Sequence, residues 1–333
     1  MNDAPVRRAR AVVVGAGVMG RWHAQAITRL GAELTGIVDA SSEAADRLAG
    51  AYGGVRTFTN LPSALAGGEV DVVHVCTPTS SHGELGALAL EHGSHVLVEK
   101  PLASSLAETE ELVALANARE LALNPVHQFP FQPGFRRVLE RRSELGDLVH
   151  VAYRTCSAGG EGRSREEGRA ILVEILSHPV SLFCQLLGEG FDPAALEIVR
   201  NCDQDLDLTG MLGGVRLDVS VSLRGRPTCN ELSVVGTRAT ALADLFHGYA
   251  LVEGGGVSRT TKAVRPFRLG AQLVTHAGAN LAARGFRREP AYPGLRELVR
   301  RFHAAAVTGS QPPVSNRETL AAARLIDHVR AAG

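Results

Sequence analysis

The chain has no net charge: across its 333 residues, Lys and Arg contribute 35 and Asp and Glu another 35. That balance argues against a general role on nucleic acid or on a membrane surface, both of which require a basic face. Cysteine is scarce. Cys76, Cys156, Cys184, Cys202 and Cys229 are odd in number, far apart and never in a C-x-x-C pair. Neither a disulfide framework nor a zinc site is signalled, no metal is expected, and a reducing, cytoplasmic setting is. Long apolar runs are missing as well, since no stretch approaches the ~18 consecutive apolar residues of a membrane helix. Arg7 and Arg8 precede the apolar stretch Ala11 to Met19 in the manner of a twin-arginine leader. That stretch is short, is closed off by Arg21 and contains a glycine motif, so a buried first strand is the better reading. What remains is ordinary for a globular enzyme, 45 % hydrophobic and 21 % charged. A chain of this length favours two domains with separate cores and a cleft for small molecules.

From Arg10 to Asn124, short apolar runs alternate with Ala- and Leu-rich amphipathic stretches, the βαβα pattern of a parallel sheet covered by helices. Strands are expected at Ala11 to Val14, Glu33 to Val38, Arg56 to Phe58, Val70 to Cys76 and His95 to Val98. Helices are expected at Met19 to Leu30, Ser42 to Ala51, His82 to Glu91 and Leu106 to Arg119. After Pro125, alternation at period two dominates, and seven strands are expected between Leu148 and Val252 as a mostly antiparallel sheet. Helices should flank it at Arg169 to Leu187, Leu269 to Arg284, Leu295 to Val307 and Glu318 to Val329, with a flexible loop from Gly254 to Thr261. The expected fold class is α/β. A doubly wound Rossmann domain covers residues 1–124, and an α+β domain for substrate binding and oligomerisation covers 125–333, with the option that its last helix packs back on the first domain.

Gly15-Ala16-Gly17-Val18-Met19-Gly20 follows a Val-rich strand and opens a helix, the context that gives G-x-G-x-x-G its meaning. The first glycine makes the tight turn, the second lets a pyrophosphate approach the backbone, and the third lets helix and strand pack closely. The helix N-terminus offers N–H groups to the anion. Asp39 ends the second strand, where a carboxylate can accept hydrogen bonds from the adenosine ribose and would repel a 2′-phosphate. Ala40, Ser41 and Ser42 supply no arginine to offset that repulsion, so NAD is expected in preference to NADP.

Cys76-Thr77-Pro78-Thr79-Ser80-Ser81-His82 ends the fourth main strand and Glu99-Lys100-Pro101 the fifth, both at the carboxyl edge of the sheet. With Gly20-Arg21-Trp22-His23, their order and spacing resemble the Gfo/Idh/MocA family of sugar and cyclitol oxidoreductases. The resemblance implies that Cys76, Thr77, Pro78 and His82 lie along the cofactor, that Glu99 orients the nicotinamide end and that Lys100 reaches the reacting oxygen. An ammonium there stabilises a developing alkoxide and can relay its proton. A second family pattern, Asp, Gly, His and Asp along one helix, is matched by Glu174, Leu176, His178 and Ser181. Three of the four differ, so the substrate contacts should differ too. Glu174, His178 and Ser181 are expected on one helical face, with a kink beside His178 imposed by Pro179. His178 is the general acid/base candidate. His127 and Gln128, just past the domain junction, are candidate substrate or nicotinamide contacts. Arg136, Arg137, Arg141, Arg142, Arg287 and Arg288 read as solvated surface.

The resulting expectation is an NAD-dependent dehydrogenase or ketoreductase for a secondary alcohol or ketone of a sugar, nucleotide sugar or cyclitol, with a specialised biosynthetic substrate favoured, and a homodimer or homotetramer. Its rival is a non-catalytic, redox-responsive binding protein that keeps the same cofactor site.

Overall fold

In the computed structural model, residues 8–256, 258–287 and 291–332 are described; Arg7 and Arg288 lie outside them. The chain divides into two compact units. One runs to His127 and includes Leu295–Arg324; the other comprises Gln128–Gly294 and the residues from Leu325 on.

The first unit begins β1 (Arg10–Val14), α1 (Val18–Arg29), β2 (Glu33–Val38), α2 (Ser42–Ala49), β3 (Arg56–Phe58) and α3 (Leu61–Ala66). It continues β4 (Val72–Val75), α4 (His82–Glu91), β5 (His95–Val98), α5 (Leu106–Ala118) and β6 (Leu123–Pro125). The six strands are parallel in the order β3-β2-β1-β4-β5-β6, the doubly wound arrangement expected. Both faces of such a sheet are covered, which is why β4 reads Val-Val-His-Val and is buried along its whole length. β6 was not foreseen. It is short, contains Pro125 and sits at the sheet edge, where a missing N–H costs no ladder bond. α3 was missed for its brevity, although the Asn60 side chain accepts from Ser63 N at 2.9 Å and Pro62 stands in its first turn. Asn124 acts as a tether within this unit: its side chain donates to Val314 O at 2.7 Å and accepts from Val314 N at 3.1 Å.

The second unit contains α6 (Pro133–Glu140), α7 (Arg142–Leu145), β7 (Leu148–Cys156), α8 (Arg165–Ile175), α9 (Ser177–Leu187), β8 (Leu196–Asn201), β9 (Asp205–Leu212) and β10 (Val215–Ser222). β11 (Cys229–Gly236), β12 (Ala239–Asp244), β13 (Tyr249–Gly254) and α10 (Arg259–Arg287) follow. Its seven-stranded sheet has the order β13-β12-β11-β7-β10-β9-β8 and is antiparallel except where β7 meets β10. β10 shows why period two was legible. Leu217, Val219 and Val221 are buried, while Asp218, Ser220 and Ser222 face the polar side, where Asp218 lies 2.7 Å from His150 Nε2. Cys156 and Cys229 are cross-strand partners with their sulfurs 3.1 Å apart as thiols. No spacing in the sequence could reveal that pairing.

Two expectations need correcting here. The loop expected from Gly254 to Thr261 is shorter: Gly254 closes β13, Arg259 to Thr261 open α10, and Val257 within it lies outside the described residues. The helix expected over Arg169 to Leu187 is two helices broken at Leu176. Pro179 has no N–H for the Ile175 carbonyl, and its ring crowds that carbonyl, so the ladder stops there and restarts with Pro179 in a first turn. The chain ends with α11 (Leu295–Thr308) and α12 (Asn316–Ala331).

Candidate active site

β1 delivers the chain into the glycine turn. Gly15 has φ +99°, and a side chain on it would meet the Cys76 carbonyl oxygen at 2.6 Å; one on Gly20 would overlap the Gly15 carbonyl oxygen. The packing of the protein itself therefore demands these two glycines. Gly17 is different. Its φ is −71°, and a Cβ there would have nothing within 4 Å. The space beside it lies at the N-terminus of α1, which has no side-chain cap and no acid in its first turn. Unsatisfied N–H groups and the positive end of the helix suit a pyrophosphate. Val18 and Met19 form the first turn, Val18 being 66 % exposed although apolar. Asp39 follows β2 and accepts from Ala16 N at 2.8 Å and from Ser41 N at 2.9 Å. The carboxylate is thus fixed beside the turn, and each oxygen keeps a lone pair for a further donor such as a ribose hydroxyl.

The same edge carries the ends of β4 and β5. Cys76 N donates to Val14 O at 2.7 Å and Glu99 N to Val75 O at 2.8 Å, which places Thr77, Pro78 and Lys100 just beyond the sheet. Ser81 donates to the Thr77 hydroxyl at 2.8 Å. His82 is buried, with Nδ1 2.8 Å from Pro101 O and Nε2 2.8 Å from Thr77 O. Both ring nitrogens are occupied by the chain's own carbonyls, so His82 braces the two loops together and offers no ring nitrogen to a cofactor. Burial, and then the Glu99 carboxylate, push the Cys76 thiol well up and keep it from being a nucleophile. Lys100 is half-buried at the end of this edge.

Behind the edge lies a feature that sequence reasoning missed. Glu99 Oε1 is 3.2 Å from His23 Nε2, His23 Nδ1 is 2.7 Å from His74 Nδ1, and His74 Nε2 is 2.8 Å from His303 Nε2. All four side chains are buried. They come from the residue after β5 and from α1, β4 and α11, and only the fold brings them into line. Burial, reinforced by His23, holds His74 well below the ordinary imidazole range and lowers His303 to about 4.

The remaining candidates are less available than expected. The His127 ring is buried and lies 2.9 Å from Glu318 Oε1 of α12, so its Nδ1 is committed within the first unit. In the second unit, Gln128 is buried, and its Oε1 has no partner among the described residues. Glu174 is on α8, whereas His178 and Ser181 are on α9, so the single face expected for the three is interrupted at Leu176. Ser181 is fully buried and donates to His178 O at 2.8 Å, which removes its hydroxyl as a donor to substrate. His178 is half-buried and stacks on Phe129 at 4.1 Å between ring centroids. Arg136 pairs with Glu140, Arg141 with Glu144, and Arg287 is exposed, as a solvated surface requires, whereas Arg137 departs from that reading, its Nε buried and its guanidinium 3.5 Å from His276 Nε2.

Residues 9–127 match the family model of GFO_IDH_MocA, described as an oxidoreductase family with an NAD-binding Rossmann fold. The match lies within the parallel-sheet unit, little more than a third of the chain. It is 29 % identical over 187 residues to the 4-carboxy-2-hydroxymuconate-6-semialdehyde dehydrogenase of a Sphingobium species, covering 54 % of this chain and 59 % of that protein. It is 34 % identical over 134 residues to the UDP-N-acetylglucosamine 3-dehydrogenase of Acidithiobacillus ferrooxidans, covering 38 % and 42 %. These matches thus span about half the length of the curated relatives. The fold extends further. A solved structure of the Acidithiobacillus enzyme superposes with a TM-score of 0.75 at 20 % identity, covering 98 % of each chain. A 3-ketoreductase from Actinomadura kijaniata in complex with NADP gives 0.71 at 22 % identity, covering 98 % of this chain and 97 % of the other.

The two kinds of glycine separate experimentally. Gly20→Ala should lower the melting temperature markedly, whereas Gly17→Ala should melt like the parent yet bind NADH about tenfold or more weakly by fluorescence titration, its Cβ filling the phosphate approach. Stability should also depend on acid. The unfolded chain binds protons at His74 and His303 near pH 6.5, while the native state resists until about 4 at His303, so ΔG of unfolding falls as pH drops through that window. Urea unfolding at pH 7.5 and 5 reads the loss, which should shrink in His303→Gln.

Proposed function

We propose that this chain is an NAD(H)-dependent oxidoreductase that moves hydride to or from a secondary alcohol or ketone carbon of a sugar, nucleotide sugar or cyclitol. The observation that carries this reading is the shared carboxyl edge of one parallel sheet. The opening at Gly17, the fixed carboxylate of Asp39 and the lysine after β5 all stand along it. The bound nicotinamide would supply the hydride acceptor or donor. Thr77 and Pro78 border its ribose, and Lys100 holds positive charge at the substrate oxygen, stabilising the alkoxide and passing on its proton. His178 serves as a second proton-handling group, its ring plane set by Phe129, with Gln128 and Glu174 as polar contacts for the substrate. Asp39 favours NAD, because a 2′-phosphate would meet a carboxylate with no arginine in Ala40 to Ser42 to offset it. Redox activities named for the relatives support the class, and the altered Glu174 and Ser181 point to a specialised, biosynthetic substrate.

Self-association is part of the same reading. α10 has no buried residue, and Phe267, Val274 and Leu281 repeat along it at seven-residue intervals, all exposed. A second copy covering that stripe would remove it from water.

Purified protein should oxidise or reduce at least one member of a panel of sugars, nucleotide sugars and cyclitols, read from NADH absorbance. Lys100→Ala should lower kcat by about 10²- to 10⁴-fold while NADH affinity holds, and Asp39→Ala should raise the affinity for NADPH relative to NADH. Tight NADH binding with no turnover across the panel would replace the enzyme by a cofactor-responsive binding protein. Light scattering should show a dimer or tetramer that Phe267→Glu with Leu281→Glu dissociates; a monomeric parent would refute this interface.

A further inference from the structure

We propose that Glu99, His23, His74 and His303 form a proton relay that connects the carboxyl edge of the parallel sheet with a cavity at its opposite edge. The inference rests on the hydride-transfer reading above and adds a route for that reaction's proton. Oxidising a CH–OH group sends hydrogen with its electron pair to the nicotinamide and leaves one proton from the hydroxyl; reduction consumes one. A buried site must exchange that proton with solvent each turnover.

The three contacts have lengths of 3.2, 2.7 and 2.8 Å, and each histidine uses both ring nitrogens except His303. His303 Nδ1 is buried with no hydrogen-bond partner among the described residues. His303 also lines a cavity of about 390 Å³ with Arg8, Ala9, Leu30, Gly31 and Arg300. These residues flank the starts of β1 and β2, the end of the sheet away from Lys100.

Proton counting gives two self-consistent states. With Glu99 ionised, His23 donates from Nε2 to Glu99, His74 from Nδ1 to His23, and His303 from Nε2 to His74, leaving His303 Nδ1 bare. With Glu99 protonated, every donor reverses: Glu99 donates to His23 Nε2, His23 Nδ1 to His74, His74 Nε2 to His303, and His303 Nδ1 carries the extra hydrogen. Three short hops convert one into the other. The net change is one proton taken up at His303 Nδ1 and one delivered to Glu99, or the reverse, with each imidazole neutral at both ends; after Glu99 passes its proton on, the three rings must return to their first tautomers before the next proton can follow in the same direction. Neutrality is what this interior demands, since burial disfavours the charged forms of His74 and His303. The charged groups beside the outer end are Asp71, which counters the lowering at His303, and the Arg8 and Arg300 of the cavity wall. Glu99 and the histidines act here through the group that touches substrate and are positioning residues.

Two measurements test the relay. Side-chain nitrogen NMR of the protein without substrate at neutral pH should show three neutral rings with alternating tautomers, His23 as Nε2–H, His74 as Nδ1–H and His303 as Nε2–H, or the complete reverse. An imidazolium among them, or two neighbours presenting hydrogens to the same contact, would overturn the proposal. His303→Gln keeps an amide donor for His74 but cannot pass a proton. It should fold, bind NADH and keep the parent KM, while kcat falls about tenfold or more, its solvent isotope effect changes and added imidazole restores part of the rate. An unchanged kcat and isotope effect in this variant would also overturn it. Alternating tautomers with no turnover on any substrate would count against the hydride-transfer reading and leave the relay standing.

Discussion

The site depends on how closely β1 and α1 approach β4. At Gly15 the backbone turns with positive φ directly against the Cys76 carbonyl, and at Gly20 the first turn of α1 lies on Gly15 itself. A single methyl group at either point would push helix from strand, and with it the N-terminus of α1 that faces the ligand. Asp39 adds to the same junction by accepting from Ala16 N, so the carboxylate that would greet the ribose also holds the turn. One close approach thus sets the phosphate position, the ribose acceptor and, through the loop after β4, the place where Thr77 begins the nicotinamide end.

That edge was legible because its elements announce themselves locally. A Val-rich strand running into spaced glycines, an acid ending the next strand and Glu99-Lys100-Pro101 ending a later one each carry their meaning within a few residues. The period-two alternation of β10 and β11 is equally local. What escaped was either short, as with α3 and β6, or assembled across the chain. His23, His74 and His303 come from three elements, and each alone resembles a stray polar residue in an apolar segment. Cys156 and Cys229 likewise meet only because β11 pairs with β7 in one register.

The second unit shows the opposite limit, where a local motif is present but its geometry is altered. Pro179 broke the helix as physics requires, yet the break falls at Leu176, one turn toward the N-terminus, because the carbonyl deprived of a partner belongs to Ile175. Glu174 and His178 consequently belong to different helices, and Ser181 turns its hydroxyl onto the His178 carbonyl. Helical spacing read from sequence assumes an unbroken ladder, and here the proline sits inside the pattern being read.

His74 makes the sharpest case for reading polarity against position. A strand at the centre of a parallel sheet, covered on both faces, normally admits aliphatic side chains alone, and an imidazole there loses its hydration on both nitrogens. The cost of an unpaired buried polar group, about 1–3 kcal/mol, is avoided only because α1 and α11 each bring another imidazole to within hydrogen-bond distance. Two neutral imidazoles can satisfy each other only when one presents N–H and the other a bare nitrogen, so satisfying His74 forces the tautomers of His23 and His303 as well. The packing requirement and the capacity to hand a proton along are therefore the same arrangement: a file of neutral donors with one orientation is stable because it is satisfied, and it conducts because every member can reverse.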